Sequence, residues 1–124
     1  MKIPGPDHPI TVKPTEGRVT VRWNGQEIAD SGRALTLEEA GFPPVQYLPL
    51  EDVRSELFEP SPHVTYCPYK GDASYYTLKG EGQRSLNAVW TYKEPFAAVA
   101  SIAGYVAFYP DRVDKITVTE RTLA

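Results

Sequence analysis

Arg18-Val19-Thr20-Val21-Arg22-Trp23-Asn24-Gly25 alternates apolar Val19, Val21 and Trp23 with polar Arg18, Thr20 and Arg22, then ends on Asn-Gly. Strict alternation puts one face of a strand against a core and the other in water. Asn-Gly is the residue pair of a type I′ turn, whose two central residues both need positive φ. The chain therefore returns antiparallel through Gln26 to Asp30. Ser31-Gly32 reads as another turn and Arg33 to Leu37 as a third strand, so the opening is expected to be an antiparallel meander with Trp23 in its core.

Upstream, residues 1–17 hold Pro4, Pro6, Pro9 and Pro14 and no apolar period. They are expected to form a Pro-rich arm, with one β domain spanning residues 18–124. Downstream, Phe42 to Tyr47 is extended because its prolines exclude helix, and Leu50 to Arg54 suits a single helical turn. Thr65–Cys67, Ala73–Lys79, Leu86–Tyr92, Tyr105–Tyr109 and a last edge strand around Ile116 and Val118 complete the strand set. Gly80-Glu81-Gly82 is a hairpin turn. Pro95 fits the first position of a short helix in which Phe96, Val99, Ala100 and Ala103 recur at helical spacing, with Gly104 as its cap. The fold class read from this pattern is mainly β: a small antiparallel β domain with one or two short helices.

The chain has 124 residues, 41% of them hydrophobic and 23% charged, which suits one soluble core. No run reaches the length of a membrane span, and Met1 to Pro6 lacks the apolar stretch of a secretory signal. The single cysteine excludes an internal disulfide and favours a reducing compartment, so a cytoplasmic location is expected. Net charge is −3 and the basic residues are scattered, which disfavours nucleic acid as a partner and leaves room for a single small anion. One Cys and two separated His are too few for a zinc site, so neither metal nor cofactor is expected.

Chemistry concentrates at Tyr66-Cys67-Pro68-Tyr69-Lys70-Gly71. There a thiol and an amine share a turn, and an ammonium near a thiol favours the thiolate. The opposing reading of Cys67 is a small buried hydrophobe. Lys70 reads as a partly solvated turn lysine that could anchor an anion, and its removal is expected to leave the unliganded fold intact. Tyr76, Trp90, Tyr92, Tyr105 and Tyr109 are spaced to put rings on one sheet face, either as a pocket floor or as plain core. Arg54 is a candidate for a bidentate hold on a carboxylate or phosphate. Arg33 reads as a structural ion pair with Glu51 or Asp52. The candidate ligand-binding set is Arg54, Cys67, Tyr69, Lys70, Tyr76, Trp90 and Tyr92; catalytic residues are not assigned.

Asp52-Val53-Arg54, Cys67-Pro68-Tyr69-Lys70-Gly71, Ala88-Val89-Trp90-Thr91-Tyr92 with Pro95, and Ile102 to Tyr109 together resemble the bacterial family known as Domain of Unknown Function 427. The resemblance runs from about residue 17 to residue 119 and implies a β-tent, or Mss4-like, architecture. Members of that architecture often hold zinc on two Cys-x-x-Cys pairs, which this chain lacks. One family label suggests nucleotidyl transfer. Glu38-Glu39, Glu51-Asp52 and Asp111 to Asp114 do not supply the paired carboxylates of that chemistry, and no Gly-rich phosphate loop is present.

Three functions follow as expectations. The first is a small-molecule-binding domain with an aromatic-walled pocket near Lys70. The second is an enzyme using Cys67 or Lys70 as nucleophile or acid/base. The third is a protein-interaction module in which tyrosines meet another subunit, as in a homo-oligomer.

Overall fold

The computed structural model describes residues 1–120. Among the described residues, ten strands form three antiparallel sheets, with no closed barrel. β2 (Arg18–Trp23) and β3 (Gln26–Ser31) are the expected hairpin, with φ of 55° at Asn24 and 74° at Gly25. β10 (Lys115–Thr119) adds to the free side of β2, with Val118 opposite Val19.

The next strand does not extend the meander. β4 (Leu35–Glu39) instead pairs with β1 (Ile10–Pro14) and β5 (Val45–Tyr47) in a separate sheet. The cause is occupancy of the outer edge of β3. Val53 bridges Ala29, and the Arg54 amide donates to the Ile28 carbonyl at 2.8 Å. β1 also lies inside the segment read as an arm, so ordered strand structure begins before Arg18. Its signal is weak because Ile10 and Val12 alternate with Thr11 and Lys13 for only four residues between Pro9 and Pro14.

The third sheet runs β6 (Phe58–Cys67), β7 (Gly71–Gly80), β8 (Gln83–Thr91), β9 (Val106–Phe108). β6 is much longer than Thr65–Cys67, because Pro60 and Pro62 sit in an edge strand, where a missing N–H costs no ladder bond. The segment after Pro95 forms 3-10 turns over Ala97–Ile102, broken at Val99, instead of an α-helix. A period of three puts Val99 and Ile102 on one face, and both are buried. Among the described residues, no helix is long and apolar enough to cross a membrane.

The four-stranded sheet is shared by two apolar clusters. One, containing Val21, Trp23, Ile28, Leu78 and Phe108, packs it against the β10-β2-β3 sheet. The other, containing Leu37, Tyr47, Tyr75, Tyr92 and Ile102, packs it against the β1-β4-β5 sheet and the 3-10 turns. The second cluster is rich in tyrosine, and it is the one that carries the candidate site.

Candidate functional site

The turn from β6 to β7 is closed by the Lys70 amide donating to the Cys67 carbonyl at 3.2 Å, with Gly71 at φ +110°. Only glycine takes that φ without strain. The Phe96 amide donates to the Lys70 carbonyl at 2.9 Å and ties the turn to the segment after Pro95. The Lys70 side chain therefore points back across the domain instead of into water. Its Nζ donates to Glu39 Oε1 at 2.5 Å, and the two side chains are only 12% and 11% exposed.

This corrects the reading of Lys70 as a partly solvated turn lysine. It is one half of a largely buried ion pair, and removing it alone strands a carboxylate. His8 completes the group: its Nε2 lies 2.6 Å from Glu39 Oε2, and its ring stacks on Tyr69 with centroids 4.0 Å apart and planes 8° from parallel. The Lys2 amide donates to the Pro68 carbonyl at 2.7 Å, so the N-terminal residues lie along the Cys67–Gly71 turn. Burial pushes the Glu39 carboxyl up, but hydrogen bonds from Lys70 and His8 outweigh it and hold the group below its ordinary value.

Beside this pair is a cavity of about 300 Å³. Glu39, Cys67 and Lys70 line its polar end, and Tyr47, Tyr75, Trp90, Tyr92 and Tyr109 wall it. The rings hold one another in place. Trp90 Nε1 donates to the Tyr47 hydroxyl at 3.1 Å, and Trp90 and Tyr109 have centroids 4.5 Å apart. The Tyr75 hydroxyl lies 2.9 Å from Thr65 Oγ1 and 3.3 Å from the Tyr109 hydroxyl. Burial pushes the Tyr47 and Tyr92 phenols up, and burial with the Tyr75 hydrogen bond raises Tyr109 to about 12. At neutral pH these hydroxyls are protonated and can donate as well as accept.

Of the expected site residues, Cys67, Lys70, Trp90 and Tyr92 thus meet around one cavity, and Tyr69 stands behind it on His8. Tyr76 does not join them: it packs in the other cluster, with its ring 5.4 Å from Phe58. Tyr75 and Tyr76 are adjacent in one strand and face opposite sides, so Tyr75 takes the place read for Tyr76. Arg54 also lies outside the cavity lining, hydrogen-bonded to Glu56 at 3.0 Å and Gln26 at 2.9 Å. Arg33 pairs with Asp52 at 3.0 Å, the structural role read for it. Glu39, His8, Tyr47 and Tyr75 were missed. Glu39 is 31 residues from both His8 and Lys70, so no local spacing could have linked them.

Cys67 is half-buried against the second cluster, and the Lys70 ammonium donates to Glu39. Its native thiol is expected to react with a disulfide reagent more slowly than in concentrated guanidinium, because the reagent must enter the cavity. The two rates are read by absorbance. Equal rates would place the thiol in open solvent.

A mainly β domain with a tyrosine-walled cavity and an ion pair at its polar end is the class these observations define. The chain matches the family described as a domain of unknown function (DUF427) over residues 11–119, and it belongs to that family. No curated protein matches it. Among the described residues, no three His, Cys, Asp or Glu side chains cluster so as to hold a metal ion.

Proposed function

We propose that this domain binds a small ligand with a planar ring and an anionic or hydroxyl group, held in the cavity beside Lys70. The observation that carries the reading is the convergence of one ammonium, four tyrosines and Trp90 on a single concavity of about 300 Å³. A few placed polar groups within an apolar, concave lining are what small-molecule sites require. Lys70 has three N–H donors and gives one to Glu39, which leaves donors for a ligand oxygen. Trp90 and the tyrosines supply flat faces for a ring.

The enzyme reading rests on Cys67 lining the same cavity. It is the weaker reading, because the Lys70 ammonium is engaged by Glu39 and, among the described residues, no base is hydrogen-bonded to the thiol.

The test is a thermal-shift titration with benzoate, 4-hydroxybenzoate and nicotinate. At a hundred times its dissociation constant, a ligand specific for the native state adds about 2.7 kcal/mol of stability. The expected result is a rise in Tm for the native chain that the Glu39→Gln/Lys70→Gln double variant does not show. The double variant is used because it removes the ammonium without stranding a buried charge. Equal shifts in both proteins would remove Lys70 from the binding site, and no shift with any probe would refute the reading.

A further inference from the structure

Trp90 and Val45 each wall two cavities. One is the Lys70 cavity. The other, of about 400 Å³, is bounded by Val21, Leu48, Phe108, Ile116 and Val118. Val21 and Leu48 are fully buried and form its floor, while Val118 is 44% exposed at its rim on the edge strand β10. The one polar side chain in this second lining is Gln46, and its amide oxygen is engaged by Thr15 at 2.7 Å and Thr36 at 3.2 Å. The second cavity therefore offers apolar contact and little to bind a polar group.

From this shared wall we infer that the two cavities take one amphipathic ligand, with its oxygen-bearing ring at Lys70 and an apolar tail passing Trp90 toward Val118. The inference rests on the binding reading above and deepens it by naming the ligand class. A polar end and an apolar end separated by one indole match a molecule with a charged head and a hydrocarbon body. A flat protein partner would fill neither concavity.

The test compares benzoate with 4-hexylbenzoate by titration calorimetry, on the native chain and on Val118→Glu. Each buried methylene is worth roughly a factor of four in affinity, so even a partly buried hexyl tail should tighten binding at least about tenfold. In Val118→Glu, with a charge at the rim, the ratio of the two affinities should fall toward one. The stoichiometry should be one probe per chain. Equal affinities in the native chain would overturn the single-ligand inference and leave the Lys70 reading standing. So would a tail gain unchanged by Val118→Glu, or two probes per chain. No binding of either probe would overturn both readings.

Discussion

Glu39→Leu is expected to destabilise the domain by about 3–5 kcal/mol, because it leaves the Lys70 ammonium largely buried with no counter-charge. Lys70→Met is expected to cost less, because His8 still reaches the Glu39 carboxylate. The informative protein is the double variant Glu39→Leu/Lys70→Met. Apolar groups of similar volume often replace a buried pair at little cost, so the double variant should be far more stable than the sum of the single losses allows. Urea unfolding of the four proteins measures this coupling. Additive losses would show that the two side chains act independently and would dismantle the ion-pair account. The pair also gives stability a pH dependence of definite sign. Glu39 titrates below its ordinary value of 4.5 in the folded chain. Its contribution is therefore present above that pH and is lost as pH falls through the folded value. The native protein should lose more stability on acidification than the double variant, in which this carboxyl is gone.

Trp23→Ala is expected to cost about 3–5 kcal/mol, the range for truncating a buried large aromatic. Trp23 is 6% exposed and closes the end of the β2–β3 hairpin. Its ring lies over Gly80: a Cβ at that position would come within 3.0 Å of the indole. The missing side chain of Gly80 is thus the space that the indole fills, and alanine at position 23 would empty it. The loss should appear as a lower urea midpoint with an unchanged slope. A change under about 1 kcal/mol would mean that the indole does not bear on the packing between the two sheets.

Much of the fold was legible because its signals are local. Alternation in residues 18–23, the Asn24-Gly25 pair and the Gly80–Gly82 turn each specify geometry within a few residues, and all three appear as read. The same holds for the strand at Lys115–Thr119. Where prolines interrupt the pattern the local signal is short: β1 has too few alternating residues to read, and only Thr65–Cys67 of β6 stands out as strand. An edge strand tolerates proline, and no local pattern says which strands lie at an edge. The strand expected over Arg33 to Leu37 runs instead over Leu35–Glu39 and has a different neighbour, since its pairing depends on Val53 and Arg54 having taken the side of β3.

By itself the sequence determined that this is a mainly β domain and where its tight turn with Cys67 and Lys70 lies. These follow from residue chemistry acting over short separations, where backbone preference and alternation are decisive. Tertiary structure alone decided that Tyr75 and not Tyr76 enters the cavity, that Arg54 stays outside it, and that Glu39 and His8 meet Lys70. Adjacent strand residues face opposite sides, and which side is the pocket depends on what packs there. The charge balance of the site depends likewise on a contact 31 residues away in sequence. A contact of that kind is set by how the sheet carrying β4 stacks on the sheet carrying β6 and β7, and only the folded chain brings its partners together.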